Sequence, residues 1–205
     1  MITPAQRKTR NPEQTRSDLL EAAYSEILES GFQAASLERI LANTSVSKGA
    51  LYHHFGTKRD LGLAVVEEVI APQLAERWFA PFEEHDDPII SLSRILDDKI
   101  ANASELVIRY GCPLNNLIQE MSPLDEEFRQ GLQNILERWV EVMAIALAEG
   151  QRNQKVRTDL EPKEAALFIV AAIEGCVGLG KNAQSVEAYQ RCLRQLQLYV
   201  QSLAF

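Results

Sequence analysis

The chain has 205 residues, 46% of them apolar and 24% charged, with a formal net charge of −8. This is enough chain for one good core or two small ones, in the composition of an ordinary soluble globular protein. It excludes a membrane-spanning class, because no apolar run reaches the roughly 18 residues that a span needs. It also excludes a disulfide framework: Cys112, Cys176 and Cys192 are an odd count without C-x-x-C spacing, which fits free thiols in a reducing cytosol. The start of the chain is rich in Arg, Lys and Thr and has no apolar stretch, so it does not read as a secretory signal, and a cytoplasmic location is expected. The acidic balance is uneven. Residues 1–60 hold 8 Lys+Arg against 7 Asp+Glu, a net of +1, and residues 61–205 hold 13 against 22, a net of −9. An acidic C-terminal part does not rule out a polyanion partner for the first 60 residues. Arg7, Lys8, Arg10 and Arg16 form either a solvated tail or an arm that adds phosphate contacts.

The first predicted helix runs from about Pro12 to Ser30, with Leu19, Leu20, Ala23 and Ile27 inward and Gly31 as its stop. Leu37, Ile40 and Leu41 then sit at i, i+3, i+4 and give a second helix one apolar face. Asn43, Thr44 and Ser45 break it with turn-forming side chains. Ser47 is a good N-cap, and Lys48 to His53 make only about two turns of helix. Thr57 caps the next helix, with Asp60 placed as in a capping box. A helix this short, rich in small and polar residues, builds little core. It suits a DNA major groove, where Gly49 and Ala50 permit close approach and Lys48, Tyr52, His53 and Lys58 reach phosphates.

Beyond this the spacing predicts a long helix from Lys58 to about Ala80, and another opening at Asp87-Pro88. Further helices follow the breaks at 109–113 and 122, open at Pro162, and are capped by Ser185. The sum is about nine helices in an all-α fold. Ala165 to Val177 is apolar at all but Glu174 and Gly175, so it must be buried all round. Tyr189, Cys192, Leu193, Leu196, Tyr199, Val200 and Leu203 form a broad stripe on the last helix. These two helices read as a dimer interface, with Ala172, Gly175 and Gly178 allowing close approach and Tyr189, Leu193, Leu196 and Val200 supplying apolar contact.

The stretch VSKGALYHHFGTKRDL, Val46 to Leu61, together with Gly31-Phe32 and Ser36, resembles the signature of TetR-type transcriptional regulators. The resemblance implies a helix-turn-helix head over residues 1–56, with an arm at about 1–11, and a ligand-binding and dimerisation domain over 57–205. It implies that Ser36, Thr44, Tyr52, His53, Thr57 and Lys58 bind the DNA backbone, and that Ser45, Ser47, Lys48, Gly49 and Ala50 lie near base edges. It further implies a homodimer on a palindromic operator in double-stranded DNA, acting as a repressor released by a small-molecule effector. The expected partners include no membrane, and no cofactor is expected.

In the second domain, Gly111-Cys112-Pro113 bends the chain, and the resemblance implies that such a bend lies at the mouth of an effector pocket. Cys112 falls at the start of a helix, where the dipole would favour a thiolate. The alternative reading is therefore an electrophile- or oxidant-sensing repressor acting through Cys112, set against a plain buried thiol. Trp78, Phe82, Tyr110, Met121, Trp139, Met143 and Phe168 are candidates to line an aromatic pocket, although each also suits plain core. Asn115, Asn116, Gln119 and Glu174 are candidate polar anchors. Glu174 must find a partner or protonate if buried. His53-His54 is not a metal pair, since adjacent helical residues diverge and no i, i+4 partner exists. No G-x-S-x-G or H-E-x-x-H is present, and Gly178-Leu179-Gly180 lacks the third glycine of a dinucleotide loop, so no enzyme is expected.

Overall fold

The computed structural model describes residues 11–205, and these are all-α apart from one isolated bridge between Val156 and Ala204. Arg7, Lys8 and Arg10 of the expected arm lie outside the described residues. The chain divides into two compact units at Val69/Ile70. The first unit therefore takes in helical turns beyond residue 56, where the sequence reading closes the head.

Four helices build the first unit: α1 (Pro12–Ser30), α2 (Leu37–Ala42), α3 (Lys48–His54) and α4 (Lys58–Val65). Each starts at a side chain that accepts an otherwise unpaired N–H. Asn11 accepts from Glu13, Ser36 from Glu38 and Arg39, Ser47 from Ala50, and Thr57 from Asp60. Gly31, at φ +78°, ends α1 and returns its N–H to the Ile27 carbonyl at 2.8 Å. Leu19, Ala23, Ile40, Leu51, Phe55 and Leu61 form the core beneath α1. Each large side chain there contributes roughly 1.5–3 kcal/mol. Arg16 departs from its expected place in a phosphate-binding arm. It pairs with Glu68 and lies 4.4 Å from the Phe55 ring centre. The reason is helical spacing: Arg16, Leu19, Leu20 and Ala23 share the inward face of α1.

The predicted helix from Lys58 is not regular. After α4 the backbone makes a π-helical turn over Val66–Ile70 before α5 (Ala71–Trp78) and a short α6 (Ala80–Glu84). Pro72 supplies the cause. It has no N–H to give to the Glu68 carbonyl, and its ring displaces that carbonyl, so the preceding turn widens.

In the second unit, α7 (Pro88–Ala101) and α8 (Glu105–Tyr110) replace the single helix expected over 88–109. Asn102 ends the first, and Ser104 opens the second by accepting from Val107. α9 (Pro113–Met121), α10 (Glu126–Arg152), α11 (Pro162–Ala183) and α12 (Val186–Ser202) follow. α11 packs against α10 and α12, and α12 against α7. Trp139, Phe128, Leu92, Leu96, Leu117 and Met143 are fully buried between them. No helix among the described residues is long and apolar enough to cross a membrane.

Two expectations change here. Cys176 and Cys192 are not free thiols: they form a disulfide between α11 and α12, with Cα atoms 5.3 Å apart. Spacing along the chain could not reveal a pair created by helix packing. Cys112 remains free. The second change concerns the expected dimer contacts. Tyr189, Leu193, Leu196 and Val200 are buried inside their own protomer, so they face the unit's core. Only one stripe of α12 is apolar enough to fill that core, and the protomer itself uses it.

Candidate nucleic-acid interface

α3 holds its buried side against α1 through Leu51, while Val46 and Phe55 seal its two ends. What remains outside is a polar, small-residue face. Ser45, Ser47, Lys48, Gly49, Tyr52 and His53 are exposed, and Ala50 is half-buried. Tyr52 is 45% exposed although it is a large aromatic residue, and its phenol is directed away from the core. A Cβ added at Gly49 would meet only the Ser47 hydroxyl, at 4.0 Å, so the outer surface of the helix start is open to an approaching backbone or base.

The turn before α3 is built by its own side chains. Thr44 donates to the Leu41 carbonyl and accepts from the Val46 N–H, both at 3.2 Å. This fixes the angle between α2 and α3. Lys58, at the start of α4, donates to the Gln33 carbonyl at 2.9 Å and lies 5.0 Å from the Phe32 ring. Its ammonium therefore sits against the loop that leads into α2. Beside the turn, a cavity of about 630 Å³ is lined by Asp18, Glu21, Ser25, Asn43, Thr44 and Ser45.

One brace was missed from sequence. Glu26 is buried on α1, and its Oε1 accepts from the Ser36 N–H at 3.0 Å and from Arg39 Nε at 2.7 Å. The Arg39 guanidinium beside it holds the Glu26 carboxyl below the usual carboxylate range. Arg39 also donates to the Ala34 carbonyl at 2.9 Å. The start of α2, and Ser36 with it, is thereby tied to α1. The signal was present: Glu26 interrupts the apolar face formed by Leu19, Leu20, Ala23 and Ile27.

In the second unit, the bend at Gly111 is held from α11. Lys181 donates to Asn116 Oδ1 at 2.9 Å, and the Asn116 amide donates to the Tyr110 carbonyl at 2.6 Å. Gly111 has φ +78°, and a Cβ there would lie 2.9 Å from the Lys181 side chain, so the bend needs glycine. Asn116 is accordingly occupied in bracing the bend. Gln119 faces solvent. Trp78 and Trp139 are buried against each other with ring centres 4.9 Å apart, and the Trp139 indole N–H has no acceptor. Phe168 does not line an interior pocket. It is 53% exposed and meets the edge of the Tyr199 ring at 4.8 Å, because its position on α11 points away from the core of the unit.

Cys112 stands at the start of α9, as expected, but its thiol is not activated. Burial and the nearby Glu174 carboxylate push its pKa well up, and they outweigh the Asn115 and Leu114 N–H groups that favour the thiolate. Glu174 is hydrogen-bonded to Cys112 and Asn115, and burial pushes it up to about 7. Its Oε2 has no partner. Ala172 is half-buried and Gly175 exposed. Leu167, Phe168, Ala171, Gly175, Gly178 and Leu179 line one outer side of α11 at helical spacing, and Leu198 is exposed on α12.

Comparison with known proteins agrees with this geometry. Residues 19–65 match the family model of bacterial regulatory proteins of the tetR family, and residues 88–196 match that of a tetracyclin repressor-like C-terminal domain. The HTH-type transcriptional repressor DhaR of Mycobacterium sp. is 30% identical over 162 residues, covering 79% of this chain and 80% of that protein. The transcriptional regulator AcuR of Cereibacter sphaeroides is 29% identical, covering 78% and 73%. The crystal structure of a regulatory protein TetR from Rhodobacter sphaeroides superposes with a TM-score of 0.80 at 25% identity, over 90% of this chain and 98% of that one.

Proposed function

The chain belongs to the TetR family of bacterial transcriptional regulators, and from that premise we propose that it is a dimeric repressor reading a palindromic operator. One observation carries the reading: a two-turn helix is capped and set with small, polar and cationic groups and the Tyr52 ring facing out. Lys48 is the candidate for a guanine edge, with Ser45, Ser47, Gly49 and Ala50 beside it. Ser36, Thr44, Tyr52, His53, Thr57 and Lys58 take the phosphates on either side. One such helix contacts few bases. Two of them, roughly 34–36 Å apart, read a palindrome.

The second copy docks on the outer side of α11 and α12. Leu167, Phe168, Leu179 and Leu198 are the large apolar side chains left exposed there. Ala171, Gly175 and Gly178 keep the α11 surface low enough for close approach. This face replaces the buried stripe of α12 in that role.

A small-molecule effector is bound inside the second unit. Two buried groups without partners support this: the Trp139 N–H and Glu174 Oε2. The first would take an acceptor from a ligand and the second a donor. Cys112 serves this site as a donor to Glu174 rather than as a nucleophile, which disfavours the thiol-sensing alternative. Helical backbone continues from α4 through the π-turn into α5, so a shift in the second unit can be passed to the head without a loop absorbing it. The effector must bind the released form more tightly, since equal affinity shifts nothing.

A reporter placed behind the bound palindrome tests the sign of regulation. Expression is expected to fall when the protein is supplied; a rise would make it an activator.

A further inference from the structure

We propose that the Cys176–Cys192 bridge is a reversible thiol–disulfide site that sets how firmly α12 is held on α11. The bridge spans the turn between the two helices, where Gln184 takes a left-handed conformation. Beside it the helices approach closely: a Cβ at Gly180 would lie 2.8 Å from Tyr189. Burial, with a smaller contribution from Glu174 two residues before Cys176, pushes the Tyr189 phenol up to about 12. The bridge therefore locks the same helix pair that carries the buried carboxylate and the outer apolar face.

The two sulfurs are unequal. Cys176 is 1% exposed, while Cys192 is partly accessible. A low-molecular-weight thiolate attacks Cys192 Sγ. The bridge breaks, and its electron pair leaves on Cys176 Sγ, which takes a proton. A second thiol attacks the mixed disulfide on Cys192, releasing the Cys192 thiol and a small disulfide. Two electrons and two protons thus pass from two small thiols to the bridge. In reverse, a small disulfide is the oxidant and closes it. Cys112 is also half-buried, but it stands outside this chemistry because it has no sulfur partner and its thiol is held protonated against Glu174.

The test uses the full chain, equilibrated with a glutathione buffer of graded poise. Alkylation under denaturing conditions and intact mass should show one free thiol on the oxidised side and three on the reduced side. The melting midpoint should fall by roughly 5–10 °C between them, as for a bridge closing a loop of this length. Cys192→Ser should melt like the reduced protein in both buffers, and Cys112→Ser should keep the wild-type response. Three free thiols at every poise, a midpoint that does not move, or loss of the response in Cys112→Ser would each overturn the proposal. None of these readouts depends on DNA, so a failure of the operator reading would leave the test intact.

Discussion

Glu26 and Glu174 are both carboxylates placed in apolar surroundings, with opposite consequences. Glu26 is ionised and shared between Arg39 and the Ser36 N–H, so its pKa is depressed. Its contribution to stability is present above the unfolded carboxylate range and is lost as pH falls through it. Glu26→Ala should destabilise the head by about 1–2 kcal/mol in urea unfolding near pH 7. The difference from wild type should shrink below about pH 4, where the carboxylate protonates; a constant difference would mean that the brace does not depend on charge. Glu174 runs the other way. Its folded pKa is raised to about 7, so the fold prefers the neutral acid. Stability should fall as pH rises from about 4.5 to 7 and then level off. Glu174→Gln should remove that slope and stabilise the protein at pH 8 by on the order of 2 kcal/mol. A slope unchanged in the variant would contradict the burial of this group.

At the scale of elements, N-caps were the most legible signal. Asn, Ser and Thr side chains announce a helix start because they satisfy its unpaired donors, and Ser36, Ser47, Thr57 and Ser185 all do so where expected. Irregularity was less legible. Pro72 inside a long apolar pattern was the only local sign of the π-turn, and Asn102-Ala103-Ser104 the only sign of the break after α7. Long-range facts were not legible at all. Periodicity shows that α12 has one apolar stripe but not whether the protomer or its partner covers it. Nor does it show that Cys176 meets Cys192. The proposed dimer face gives a paired prediction. Phe168→Asp should leave the melting midpoint near wild type and weaken dimerisation at least tenfold in sedimentation. Leu196→Asp, which places a charge in the core, should cost about 3 kcal/mol or more and unfold the protomer. A folded, monomeric Leu196→Asp protein would return the interface to the stripe first expected there.

For the whole molecule, the division of charge and the division of structure follow one another. The part with a net charge near zero carries the exposed α3 face with Lys48, and the strongly acidic part carries the Cys112–Glu174 pair and the outer face of α11. Repulsion between DNA and the acidic part leaves the head as the favoured point of contact. The helical run from α4 to α5 joins these two roles in one chain. On the proposed reading, repression and release are two populations of one dimer, weighted by operator and effector. The most direct test is selection of bound fragments from a random duplex pool, with Tyr52→Ala run in parallel. The account predicts a palindrome enriched by the wild type and depleted at least tenfold by a substitution that spares the fold. Selection of the same sequence by both proteins, or no enrichment by the wild type at low salt, would contradict it.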